Sequence, residues 1–362
     1  MKRVGILTFH RAHNYGAVLQ CFALKETIRQ MGYDVQVIDY RQPQIENSYR
    51  YHYIFDKKES NGFGALLYLL RQQLANIYHF YLYIRKRYYY TTFQKSYLSL
   101  SCRCNRSSIP TYDCYVIGSD MLWDSRCLNG QYDDVYFGDF NRNSTSTIVG
   151  YAISGSQVSL SKCVDNQGRL PFINNFNALS IREEILTSFV KKFTNKDIIT
   201  CIDPTLLADK SIWDQLIKDH WMNKNYIVTY YIRIDKAHQL KINERLKKIA
   251  KNEGCEIINI DAHHPMSINN FVSILKYSRY LVTDSFHGIV FSLIFQRNFS
   301  AIKLNDSHDD RYVDLLKKLE LEELIVDLDF TPSIPYIDYT RVETLLSVLK
   351  QNSFEYLEKN LG

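Results

Sequence analysis

Apolar residues along this chain gather into short runs, and most runs give way to a polar loop. Residues 4–9 form such a run behind a basic start, the pattern of a strand covered on both faces of a parallel sheet. It ends at His10, Arg11, His13 and Asn14. Beyond Gly16, the residues Ala17, Cys21, Leu24, Ile28 and Met31 recur at steps of four and three, one stripe of a helix that Gly32 closes. Residues 33–40 alternate through Val35, Val37 and Asp39 and predict a second strand. This opening is a βαβ unit, with its polar loop at the carboxyl end of the first strand, where open α/β sheets bind ligands.

A mixed amphipathic, basic and aromatic insertion at about 41–110, predicted as two helices, interrupts this rhythm. The sheet resumes at 112–118 and ends in the loop Gly118-Ser119-Asp120. A strand at 147–152 precedes Ser154, Gly155 and Ser156. A helix before Ser180-Ile181-Arg182-Glu183 and a short strand at 198–202 complete a first lobe. Further on, strands at 226–232, 256–260, 280–283 and 299–304 alternate with helices at 237–252, 268–277 and 288–295, with Gly254 capping the first of these helices. Such alternation predicts a second parallel sheet. The fold class is α/β, with two Rossmann-like lobes facing a cleft: residues 1–210, residues 211–340, and an amphipathic helix at 341–362 bracing them.

Length and composition agree with that division. A chain of 362 residues with 46% hydrophobic and 23% charged positions is long enough for two cores of ordinary domain size. The net charge of +5 is local. Between residues 49 and 100 there are eight Lys or Arg, including Arg85, Lys86 and Arg87, against Asp56 and Glu59. Eleven Tyr fall in the same window. A solvated basic helix over core aromatics explains this segment; so does a surface for sugars, phosphates or an anionic membrane leaflet. Nucleic acid is not expected, because the charge is confined to one insertion with no accompanying motif. The start lacks the apolar length of a signal peptide, and the greasy stretch 64–84 is broken by Arg71, Gln72, Gln73, Asn76 and His79. The expected location is cytoplasmic, at or near the inner face of the membrane. Eight scattered Cys without paired zinc spacing are expected to be reduced thiols, with no metal bound.

The densest chemistry lies in Thr283-Asp284-Ser285-Phe286-His287-Gly288, which follows a strand and opens an apolar helix. Backbone N–H groups at a helix start attract anions. Ser285 or Asp284 serves equally well as a helix cap, and His287 as a satisfied core histidine. Polar residues at three other strand ends, 10–15, 118–120 and 151–156, favour a site. Asp120 also fits a plain turn, and Asn14 a helix cap, a role for which Gly16 has no need to be glycine. Arg182 suits either a surface ion pair or a two-pronged grip on a carboxylate or phosphate. Arg233 is a comparable candidate. Asp203-Pro204-Thr205 is expected to be a rigid structural turn.

Taken together these blocks resemble the polysaccharide pyruvyl transferase family. The resemblance is carried by Gly5-Ile6-Leu7-Thr8-Phe9 with Asn14-Tyr15-Gly16-Ala17-Val18-Leu19-Gln20, by Val116-Ile117-Gly118-Ser119-Asp120 with Trp123, and by Ser180-Ile181-Arg182-Glu183. It continues through Asp203-Pro204-Thr205-Leu206-Leu207 to Thr283-Asp284-Ser285-Phe286-His287-Gly288 with Phe291-Ser292. The resemblance implies a fold similar to two-lobed, GT-B-like glycosyltransferases and a ketal-forming reaction with phosphoenolpyruvate as donor. It places His287, Asp120 and Arg182 in the catalytic roles. Asn14, Tyr15, Gly16, Ser119, Ser154, Arg233, Asp284, Ser285, Phe286 and Gly288 are the expected substrate contacts. Some members carry Arg two residues before the His, where this chain has Ser285, so Arg233, Lys303 or backbone N–H groups would have to grip the phosphate. The implied acceptor is a glycan or lipid-linked oligosaccharide, and phosphoenolpyruvate is a co-substrate, with no cofactor. A nucleotide-sugar glycosyltransferase of the same architecture and a non-catalytic relative are the rival readings.

Overall fold

The computed structural model describes residues 1–53, 63–164, 170, 173–261 and 265–362. Lys57 and Lys58 of the basic window, with Asp56 and Glu59, lie outside the described residues. Short apolar runs make eleven strands among the described residues, as buried parallel strands should. In the first lobe these are β1 (Arg3–Leu7), β2 (Asp34–Val37), β3 (Cys114–Ile117), β4 (Thr147–Ile153), β5 (Ala178–Ile181) and β6 (Ile198–Thr200). The second lobe has β7 (Tyr226–Tyr230), β8 (Glu256–Ile260), β9 (Tyr280–Thr283), β10 (Asn298–Ile302) and β11 (Ile325–Val326). The sheet orders are β2-β1-β3-β4-β5-β6 and β11-β10-β9-β7-β8, and every pairing is parallel. The two lobes are Rossmann-like α/β units. Each sheet reverses its winding once, between β1 and β3 and between β7 and β9. A doubly wound sheet opens its ligand crevice at that point.

Helices cover the faces. In the first lobe they are α1 (Tyr15–Gln30), α2 (Pro43–Ser48), α3 (Phe63–Tyr97), α4 (Gln157–Leu160), α5 (Glu184–Val190), α6 (Pro204–Leu207) and α7 (Lys210–Asp214). Then come α8 (Lys236–Asn252), α9 (Ile268–Tyr277), α10 (Phe286–Phe295), α11 (Asp310–Lys318) and α12 (Tyr339–Leu361). Among its described residues the insertion holds two α-helices of very unequal length, α2 with 6 residues and α3 with 35. One expectation is overturned before Arg182: β5 stands there, and the helix α5 follows it. Four residues suffice for a strand between β4 and β6, and a run that short does not distinguish strand from helix by its period. Helix α11 and strand β11 also escaped the sequence pattern.

The lobes share one core. Trp213 meets Phe22 of α1 and Phe291 of α10 edge-on, with ring centroids 5.9 and 4.9 Å away. Tyr15 lies flat on Phe271 of α9 at 4.1 Å and donates its hydroxyl to the Met266 carbonyl at 3.1 Å. Helix α12 starts on the second lobe, where Tyr339 bonds the Arg297 carbonyl. It ends on the first, where Tyr356 donates to the Gly150 carbonyl at 2.8 Å and Lys2 to the Leu361 carbonyl at 2.8 Å. The cleft between the switch points is therefore held by packing on its far side.

Candidate active site

Five strand ends converge on a cavity of about 270 Å³. Asn14 lines it after β1, Asp120 after β3, Arg233 after β7, the segment Asp284 to His287 after β9, and His308 with Arg311 after β10. An adjoining cavity of about 180 Å³ contains Arg182, Asp203 and Lys318, and the two share Phe286 and Arg311. The structure thus brings Asp120 and His287 into one space and sets Arg182 behind the Phe286 ring.

Each wall is built locally. Ser285 caps α10 by accepting from the Gly288 N–H at 3.3 Å, which settles which residue does the capping. Asp284 instead accepts the backbone N–H groups of Ile232 and Arg233, both at 2.7 Å, and so fixes the β7 loop. Burial pushes its carboxyl above the ordinary value, while those two donors pull the other way. Asp120 adopts φ +76, a left-handed conformation that costs a non-glycine residue about 1 kcal/mol or more and recurs at functional sites. Just before it, Gly118 has φ +130, and a β-carbon there would stand 2.0 Å from the Tyr151 carbonyl oxygen. Only glycine permits β3 to turn so tightly against β4.

His287 is buried, and its Nε2 has no hydrogen-bond partner. Asp203 Oδ2 lies 3.7 Å from that nitrogen. The same carboxylate accepts from Arg182 Nη1 at 2.6 Å, and its other oxygen takes the Thr205 hydroxyl at 2.6 Å and the Thr205 N–H at 3.0 Å. Burial would raise the Asp203 carboxyl, but His287, Arg182 and Thr205 hold it well below the usual carboxylate range. Asp203 is therefore an anion that faces a histidine, and the expectation of a purely structural turn is corrected. The sequence marked Asp203 only as part of a rigid turn, because the partners that give it a further role, Arg182 and His287, lie 21 and 84 residues away.

Arg182 is fully enclosed, which overturns the surface ion-pair alternative. Its guanidinium donates to Glu183 at 2.9 Å, to Asp203, and to the Ser154 hydroxyl at 2.6 Å, while Ser154 donates to Glu183 at 2.6 Å. Ser154 and Ser119 lie inside the first lobe, Ser119 donating to the Ala152 carbonyl at 3.0 Å; neither lines the cavities. Tyr15 is an interlobe strut, and Asn14 caps α1 through the Ala17 N–H at 3.2 Å. Gly16 is explained at last: a β-carbon there would lie 2.0 Å from Nδ1 of His287. Gly288 is also crowded, though less so, with Thr283 Oγ1 2.9 Å from the position of its missing β-carbon. Arg233 lines the cavity but is committed to Asp306 and Asp309, each at 2.7 Å. Lys303 does not line it.

Arg311 was missed. Its guanidinium lies over the Phe286 ring at 5.8 Å, with Arg182 over the same ring at 4.6 Å. Its Nε donates to the His308 carbonyl at 3.2 Å, and among the described residues it makes no ion pair. Burial and the charge of Arg182 push its pKa below the ordinary arginine value. A cation left short of countercharge favours an incoming anion. The signal was present, since the polar run 305–311 follows the β10 strand as other site loops follow theirs. Among the described residues no group of three His, Cys, Asp or Glu is arranged to hold a metal.

A family model described as polysaccharide pyruvyl transferase matches residues 62–307. The chain belongs to that family. It is accordingly a polysaccharide-modifying transferase, and its matched region contains Asp120, Arg182, Asp203 and His287, while Arg311 falls just beyond its end. No curated protein matches the chain in sequence. Solved structures similar to it include the UDP-GlcNAc 2-epimerase of Methanocaldococcus jannaschii, 11% identical with a TM-score of 0.48 over 97% of this chain and 93% of that one. The UDP-GlcNAc 2-epimerase of Neisseria meningitidis is 10% identical with a TM-score of 0.43, covering 97% and 100%. The E. coli heptosyltransferase WaaC is 10% identical with a TM-score of 0.34, covering 96% and 99%.

Proposed function

We propose that this family member transfers the enolpyruvyl carbons of phosphoenolpyruvate to two hydroxyls of one sugar, forming a pyruvate ketal and releasing phosphate. The acceptor belongs to a bacterial surface polysaccharide, capsule or exopolysaccharide, or to its lipid-linked precursor. The observation that carries the reading is the Arg311 guanidinium, which makes no ion pair among the described residues, in one cavity with a His287 whose Nε2 has no hydrogen-bond partner. A small ligand with a carboxylate and a phosphate needs such cations, and Arg311 supplies the charge that Ser285 does not. The start of α10 adds backbone N–H groups on the same side.

His287, facing the Asp203 carboxylate at 3.7 Å, gives a proton to the CH2 carbon of the donor, making C2 an oxocarbenium-like electrophile. A sugar hydroxyl adds to C2 and passes its proton to Asp120. Asp120 then returns that proton to the departing phosphate as the second hydroxyl closes the ketal, and His287 recovers the proton of that hydroxyl. Protons balance and both side chains are restored.

The test is incubation with phosphoenolpyruvate and a synthetic lipid-linked glycan, following product mass and free phosphate. One ketal-linked pyruvyl group per phosphate released is the expected result. A hexose gained from a nucleotide sugar instead would refute it.

A further inference from the structure

Helix α3 buries Leu82, Tyr90 and Phe93 but leaves a second apolar face uncovered. Gln72, Asn76 and Gln94 are buried, whereas Leu70, Leu74, Ile77, Tyr81, Ile84 and Tyr88 face solvent. These six recur at steps of four and three, forming one stripe roughly 27 Å long at 1.5 Å per residue. Leu74 and Ile77 are each 66% exposed, and exposed Tyr78 and Phe80 widen the stripe on both flanks. Single exposed apolar residues need no explanation, but a contiguous face of this size marks an interaction surface.

Charge decides what covers it. Helix α3 contains Arg71, Arg85, Lys86, Arg87 and Lys95 and no Asp or Glu. A second copy seated on the stripe would bring Arg71, Arg85 and Arg87 to the flanks of both helices, where paired helices place opposite charges. The flanking aromatic rings also make the face broader than a two-helix seam. An anionic lipid surface complements both features: aliphatic and aromatic side chains enter the headgroup boundary, and Lys and Arg meet the lipid phosphates. Arg87 further lines a cavity of about 300 Å³ with Arg11, Arg41, Arg50 and Arg103, where Glu46 is the acid among the lining residues. Tyr49 lines both that cavity and the catalytic cleft, so the positive field runs from α3 toward the chemistry. No helix among the described residues is long and apolar enough to cross a membrane, and a contact of this kind lies along the surface.

We propose that α3 seats this face of the protein on an anionic lipid leaflet. The test is flotation of the full chain with phosphatidylcholine vesicles, with and without phosphatidylglycerol, at low and high salt. The chain should float with the anionic vesicles, and high salt should lower its partition at least tenfold. The variant Leu74→Gln/Ile77→Gln/Ile84→Gln alters only exposed positions and should lose at least tenfold in partition, with its circular dichroism unchanged. The variant Arg71→Gln/Arg85→Gln should weaken binding to anionic vesicles alone. Absence of flotation with anionic vesicles, or equal flotation of the triple variant, overturns the proposal. So does a concentration-dependent dimer in analytical ultracentrifugation that the triple variant abolishes, which would assign the stripe to a second copy. None of these readouts depends on the donor or the acceptor, so they stand apart from the proposed reaction.

Discussion

The imidazole of His287 occupies the space that a side chain at Gly16 would fill, with Nδ1 only 2.0 Å from the position of the absent β-carbon. The first helix of one lobe and the site loop of the other therefore fit because position 16 is bare. Gly16→Ala should push His287 aside and lower kcat/KM by about a hundredfold, the scale of a 1 Å misplacement of a catalytic group. Thermal unfolding should shift far less than that loss suggests. A variant with undiminished kcat/KM would show that the ring has freedom to move.

Asp120 separates conformation from charge. Asn tolerates the left-handed region and Ala resists it, so Asp120→Asn should keep the melting temperature while turnover falls by about 10²-fold or more. Asp120→Ala should lose both. Turnover of the Asn variant near the wild-type level would remove Asp120 from the proton path.

Arg311 is predicted to bind the donor. Arg311→Gln should raise the KM for phosphoenolpyruvate by about tenfold to a hundredfold, since a hydrogen bond to a charged group contributes about 1.5–3 kcal/mol. Stability should hold or rise, because the variant relieves repulsion with Arg182. An unchanged KM, measured by steady-state kinetics, would place the anion elsewhere.

Arg182 should behave in the opposite way. Arg182→Met strands Glu183 and Asp203 as buried anions, and losing one partner of such a network costs about 3–5 kcal/mol. Chemical denaturation should therefore report a large stability loss before any kinetic comparison is made.

Acid sensitivity follows from His13, which is stacked on Tyr90 at 5.0 Å. Burial and the charges of Lys86 and Arg87 lower its pKa to about 4, against about 6.5 in an unfolded chain. Above pH 6.5 neither state binds the proton. Between about 6.5 and 4 the unfolded chain takes it up and the folded chain does not, so stability falls as pH falls, by roughly 3 kcal/mol across the window. His10 and His308 are lowered as well, chiefly by burial, and add to the same slope. His13→Phe keeps the stacking and should flatten the pH dependence of urea unfolding. An unaltered slope would trace the acid sensitivity to other groups.

Pattern and propensity determined most of the strands and long helices, because parallel strands buried on two faces leave continuous apolar runs and helices leave stripes. The same pattern marked the loops that line the cleft, from Asn14 and Asp120 to Ser285 and His287, since polar residues after a buried strand have few structural reasons to be there. It misplaced the element before Arg182, where a four-residue strand is too short to show a period. What the tertiary structure alone decided is which polar residues face one another. Asp203 beside His287, Arg311 near Arg182, and the empty position at Gly16 against His287 join residues 84 to 271 positions apart. Hydrophobic periodicity reports only whether a side chain is covered. Its partner, and therefore its charge state, is set by how two sheets wind and meet at their switch points.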